Sequence, residues 1–163
     1  MASTYGRVVV GINDSVTGLR ALRLAIDEAR RCGVQLHAVR AWSAGGQLGH
    51  GMSPARVEMA TQAAAIVRHV FDDIGGEPTD LTVVVASLEG APGKTLVSYA
   101  DQADDLLIVG ARNRRLGRSV ARYCVTHATC PTLATPPTDL ARNHKRATNA
   151  LRRDIAALER KGS

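Results

Sequence analysis

The chain has 163 residues, 45% hydrophobic and 22% charged, the proportions of an ordinary globular domain, and at this length roughly 70% of the unfolded surface is buried on folding. Aromatic residues make up only 3%, so the core falls to Ala, Val, Leu and Ile, and a single-stranded nucleic-acid platform built on stacked rings is disfavoured. The net charge of +6 is unevenly placed: residues 1–111 hold 9 Lys and Arg against 12 Asp and Glu (−3), residues 112–163 hold 12 against 3 (+9).

The β-branched run Arg7–Ile12 is the first expected strand. Leu19, Leu22, Ile26 and Ala29 recur at helical steps and predict a helix over about residues 17–32, stopped by Gly33. A second strand spans Val34–Trp42, and Ser43–Met52, with four glycines in ten residues, is expected to be a mobile lid or edge loop. Ser53 is an N-cap with Pro54 at the first helical position; Ala60, Ala64, Val67, Phe71 and Ile74 carry the apolar face on to Gly75-Gly76. Strands at Leu81–Ser87, Leu106–Gly110 and Pro131–Ala134 alternate with helices at Pro92–Ala100 and Ser119–His127.

This alternation implies right-handed crossovers, a parallel sheet and helices on both faces: a doubly wound α/β domain with five strands. Ligands of such sheets sit beyond the C-terminal strand ends, where strand order reverses. That rule points to the loops Asn13–Ser15, Ser43–Met52, Leu88–Gly93 and Ala111–Arg118. Two units are expected, residues 1–137 as the α/β domain and 138–163 as a basic amphipathic C-terminal helix. Leu140, Ala147, Leu151, Ile155 and Leu158 form its apolar seam, and over residues 138–161 it would extend about 35 Å. Such a helix needs a surface to pack on, in its own domain, a dimer partner or another protein; a frayed tail is the alternative.

Several motifs invite a chemical reading. Gly90-Ala-Pro-Gly-Lys-Thr95 follows a strand and opens a helix, but Leu88 stands where a phosphate-cradling Walker loop needs its first glycine. A tight turn into a proline-started helix is expected instead. Cys124, His127 and Cys130 lack a second group of ligands at zinc spacing, so no metal is expected and the cysteines are assigned to the core. Three cysteines, the third being Cys32, also give no disulfide framework. No nucleophile elbow is present, and Asp72-Asp73 lies at a helix C-terminus away from the strand ends, so no enzymatic activity is expected. The longest apolar runs are too short to span a bilayer, and no basic flank with a long apolar stretch opens the chain. The expected location is the cytoplasm.

As an ordered set these segments resemble the universal stress protein family. Val8-Val-Val-Gly-Ile-Asn-Asp-Ser15 is similar to the family's first strand and turn, Leu36-His-Ala-Val39 to its second strand, and Glu89-Gly-Ala-Pro92 to its third loop. Asp105-Leu-Leu-Ile-Val-Gly-Ala-Arg112 resembles the fourth strand and the start of the phosphate loop; Ser119-Val120 and His127-Ala-Thr-Cys-Pro131 resemble the next helix and the entry to the fifth strand. The likeness covers about residues 5–136. It implies strand order 3-2-1-4-5, a homodimer, and a pocket that in some members binds ATP.

ATP-binding members carry Gly-x2-Gly-x9-Gly-Ser/Thr. Here Gly110 and Ser119 fit, Asn113 stands at the second glycine, Arg118 stands at the third, and the intervening loop is five residues shorter. The resemblance therefore implies a degenerate motif that binds ATP weakly or not at all. Within the pocket it places Asn13 or Asp14 near the base or ribose, Ala38 in the adenine slot, and Gly110, Asn113, Ser119 and Val120 near ribose and phosphates, with Gly11 a further candidate. Arg112, with Arg114 and Arg115, would draw an anion to the helix N-terminus. ATP or AMP is the candidate ligand. The leading expectation is a non-catalytic, homodimeric stress-response protein; the rivals are an ATP- or AMP-binding member and an interaction module using the basic C-terminal third. Nucleic acid is an unlikely partner, since charge alone points to it.

Overall fold

The computed structural model describes residues 4–44, 51, 53–111 and 119–136. Along them run β1 (Arg7–Gly11), α1 (Val16–Cys32), β2 (Gln35–Trp42), α2 (Pro54–Asp72), β3 (Val83–Glu89), α3 (Pro92–Tyr99), β4 (Asp105–Gly110), α4 (Val120–His127) and β5 (Thr132–Thr135). The sheet order is β3-β2-β1-β4-β5 with every neighbouring pair parallel, the expected α/β topology. The C-terminal helix expected at 138–163 lies outside the described residues.

Local chemistry sets the helix ends. The Ser53 hydroxyl accepts from the Arg56 amide at 3.3 Å, with Pro54 opening α2 where no amide partner is needed. Ser15 caps α1 in the same way, accepting from Gly18 N at 3.2 Å. At the other end of α1, Gly33 takes a left-handed φ of 65°, which a side chain would resist, and its amide donates back to the Arg30 carbonyl. Strand limits shift slightly from expectation. β5 begins at Thr132 because Pro131 has no amide to donate, although its carbonyl accepts from Leu107 N at 2.9 Å. β3 begins at Val83, the residue that pairs with Leu36, and runs on to Glu89 opposite Trp42.

The sheet divides the core into two layers by residue parity. Val8, Val10, Leu36, Ala38, Leu106 and Ile108 face α1 and α2, where Leu22, Ala25, Val67, Val70 and Phe71 complete the cluster. Val9, Val39, Leu107 and Val109 face α3 and α4, packing on Leu96, Ala121, Cys124 and Cys130. Burial pushes the Cys124 thiol up to about 11, as suits a core residue.

The N-terminal end of the sheet is closed by an ion pair. Arg7 Nε donates to Asp105 Oδ1 at 2.6 Å and Nη2 to Oδ2 at 2.9 Å; Nη2 also reaches the Tyr99 carbonyl at 2.9 Å. Asp105 further accepts from Gln102 N at 3.1 Å. Its side chain is 1% exposed, so these donors replace its water.

Candidate functional site

Beyond the C-terminal strand ends lies a cleft of about 300 Å³, lined by residues of β2, the β1 end, α3, β4 and the start of α4. That volume is at the small end of the roughly 300–1,000 Å³ typical of small-molecule sites. Val39, Leu96 and Val109, all buried, give it apolar walls, and Asn13, Arg40 and Ser119 are among its polar side chains.

The cleft has two chemically different sides. On the β4 side, Ser119 caps α4, its hydroxyl accepting from Arg122 N at 3.5 Å, and the first-turn amides of α4 supply partial positive charge. On the β2 side, Arg40 Nη1 donates to the Ile12 carbonyl at 3.1 Å, setting the guanidinium over the end of β1. β1 lies between β2 and β4, so the two sides stand about 10 Å apart at the usual strand spacing.

The sequence-predicted residues are placed as follows. Gly11, Asn13, Gly110, Ser119 and Val120 line the cleft together. Asn13 Oδ1 accepts from the Ser15 amide at 3.0 Å and from the Ser15 hydroxyl, which fixes the β1–α1 turn. Asp14 is exposed and does not line the cleft. Ala38 is fully buried in the layer facing α1 and α2; Val39, its neighbour and the register partner of Gly11, takes the cleft position instead. Arg112 and Asn113 lie outside the described residues, as do Arg114, Arg115 and Arg118.

Gly110 lines the cleft, yet its missing side chain serves another contact. A Cβ there would stand 2.8 Å from the Thr17 carbonyl oxygen and 3.0 Å from Gly18 N, both backbone atoms of the first turn of α1. Thr135 Oγ1 donates to the same Thr17 carbonyl at 3.2 Å. The glycine thus lets β4, β5 and α1 converge beneath the site.

Sequence reasoning missed Arg40, Val39, Leu96 and Lys94. Lys94 lines a wider groove of about 910 Å³ that adjoins the cleft through Pro92, Ser119 and Val120. Arg122 and His127 line it too, with the Tyr123 ring stacked on His127 at 4.0 Å between centroids. No acidic side chain is among its described lining, so an anion in the cleft meets cations on that flank. The Gly90–Thr95 segment is the expected tight turn, with α3 starting at Pro92. Among the described residues, three buried donors near the β2 and β3 ends have no hydrogen-bond partner: Arg40 Nε, Trp42 Nε1 and Arg56 Nε.

Comparison with known proteins agrees with this architecture. The family model described as the universal stress protein family matches residues 4–136. No curated protein matches the chain. Among solved structures, a universal stress protein from Archaeoglobus fulgidus is similar at 26% identity, covering 80% of this chain and 93% of that one, with a TM-score of 0.54. A second from the same organism, in complex with dAMP, is 23% identical over 80% of this chain and 98% of its own, TM-score 0.57. A family protein from Arabidopsis thaliana with AMP bound is 16% identical over 82% and 93%, TM-score 0.51. On the family match over residues 4–136, the chain belongs to the universal stress protein family.

Proposed function

We propose that this protein is a non-catalytic universal stress protein whose cleft takes a purine nucleoside monophosphate and binds ATP weakly or not at all. The observation that carries the reading is the cleft itself: apolar walls from β2, β4 and α3, with a capped helix N-terminus at one side for an anion. Structural relatives described with dAMP and with AMP support a mononucleotide. The sequence of the phosphate loop argues against a triphosphate, because Asn113 and Arg118 replace glycines and the loop is five residues short. Asn13, Arg40 and Ser119 can bind and orient a ligand, and none is a general base of ordinary strength, which supports a binding rather than a catalytic role.

Two further parts of the reading concern assembly and place. Among the described residues, β5 has a sheet neighbour on one side only and exposes Leu133 at 44%, while Val125 of α4 is 57% exposed. An edge strand that exposes an apolar side chain among the described residues favours pairing with a second copy, so the working form is proposed to be a homodimer. No helix of the described residues is long and apolar enough to cross a membrane, and the cytoplasm remains the proposed location.

Isothermal titration with AMP and ATP, with and without magnesium, tests the nucleotide reading. AMP should give saturable heat that disappears in Ser119→Glu, and ATP should bind at least about tenfold more weakly, the equivalent of one lost amide contact to a charged group. ATP affinity equal to that of AMP would overturn the triphosphate part; no heat with any purine nucleotide would overturn the whole.

A further inference from the structure

Arg40 is the cationic side chain among the described residues of the cleft lining, and it stands on the side away from Ser119. An anionic group seeks the α4 N-terminus, so a nucleotide lying across the cleft directs its base toward β2 and Arg40. The guanidinium has five N–H donors. Among the described residues, its only hydrogen bond is the one from Nη1 to the Ile12 carbonyl, at 3.1 Å. Its Nε is closed off without a partner among the described residues, whereas Nη2 is not buried and makes no hydrogen bond among them, so the Nη1/Nη2 end is what a ligand can meet.

Glu89 pairs with Arg56 at 3.1 Å, and Ser87, opposite Arg40 in the sheet register, turns its hydroxyl to the Ala60 carbonyl, donating at 3.2 Å, and no described hydrogen bond joins it to Arg40. No described carboxylate lies within ion-pair distance of Arg40. A ligand cannot reach the buried Nε; it is the open Nη1/Nη2 end whose donors have no described protein acceptor beyond the Ile12 carbonyl. What the β2 side lacks is therefore an acceptor, and preferably two side by side, because a guanidinium presents its donors as a fork.

The common purines differ at this point. Guanine carries O6 and N7 as adjacent acceptors, the arrangement that an arginine fork matches; adenine puts its N6 amino donor beside N7, so one donor of the fork would face another donor. Lysine-like point charge would not separate the two bases, whereas the fork does. We infer that Arg40 is a specificity-determining residue that makes the cleft prefer a 6-oxopurine nucleotide, GMP or IMP, over AMP. This rests on the nucleotide reading of the cleft; it acts on AMP and ATP alike, so the comparison of those two remains a test of the phosphate loop alone.

Titration of the full chain with GMP and with AMP, in wild type, Arg40→Gln and Arg40→Lys, tests the assignment. Wild type should bind GMP about tenfold or more tightly than AMP, the discrimination of one bidentate pair. Arg40→Gln should shift the preference toward AMP, since a glutamine amide matches the N6/N7 edge of adenine. Arg40→Lys should keep the charge and lose the selectivity. Thermal melts of the three proteins establish that the variants are folded, and the selectivity ratio within each protein is insensitive to a modest stability loss. AMP binding as tightly as GMP in wild type, or a ratio unchanged in both variants, overturns the role of Arg40 while leaving a nucleotide site intact. Binding of neither nucleotide overturns the nucleotide reading and this inference with it.

Discussion

At the N-terminal end of the sheet, Arg7 gives two donors to Asp105 and a third contact to the Tyr99 carbonyl, and the carboxylate is 1% exposed. At the C-terminal end, Arg40 makes one hydrogen bond and three buried donors are unpartnered, among the described residues. Two arginines on neighbouring strands of one sheet thus sit in opposite states. Satisfied polar networks rigidify a fold, while a guanidinium with donors left open can turn them to a ligand's acceptors. The difference assigns stability to one end of the strands and recognition to the other, in agreement with the rule that places ligands beyond the carboxyl ends.

The largest effect expected from breaking this division is at the closed end. Arg7→Met leaves the Asp105 carboxylate buried with the Gln102 amide as its remaining hydrogen-bond donor, at 3.1 Å. Losing one partner of a buried pair costs about 3–5 kcal/mol. Urea unfolding should show that loss, while nucleotide affinity measured on the folded variant stays at the wild-type value. A tenfold fall in affinity with little loss of stability would reverse the assignment of the two ends.

Gly110→Ala probes the place where the two functions meet. The added methyl would press on the Thr17 carbonyl and Gly18 N, backbone atoms that cannot rotate away, so α1 must move from β4. Overpacking of this kind costs roughly 1–3 kcal/mol, less than Arg7→Met, but the displacement falls next to Ser119 and Asn13. Nucleotide affinity should therefore drop along with stability. If stability falls and titration shows unchanged affinity, the α1 contact does not shape the cleft.

How much of this was legible in the sequence follows the same division. Strand and helix order could be read because β-branched runs and three- and four-residue steps are local signals, and Ser53-Pro54 and Gly33 mark their helix ends by local chemistry. The sheet order came with the family resemblance. The Arg7–Asp105 pair spans 98 residues and becomes visible only once the β1–β4 register sets them opposite each other. Ala38 was expected in the cleft and Val39 is found there, because Leu36–Val39 is buried on both faces and no alternation reveals which residue points where. Arg40 resembles an ordinary solvated charge in sequence; its meaning comes from the Ile12 carbonyl it meets and the acceptors it lacks.

The smallest expected effect concerns pH, and it again separates the two ends. His37 is 8% exposed, with Nδ1 2.8 Å from the Tyr99 hydroxyl and Nε2 3.3 Å from Gln35 Oε1. Burial, aided by the positive charge of Arg7, holds its pKa below the usual 6.5, and Asp105 opposes this only in part. Between the lowered folded value and the unfolded value the unfolded chain binds more protons, so stability is complete above about pH 6.5 and declines as pH falls through that window. Below the folded value both states are protonated and this contribution flattens. His37→Gln keeps a polar group at the strand while removing the titration. Urea unfolding from about pH 7.5 down to about pH 5.5 should show a wild-type decline that is shallower in the variant. Parallel curves would mean that His37 titrates alike in both states. Nucleotide affinity should be the same in wild type and variant across this range, because His37 lies at the closed end and does not line the cleft.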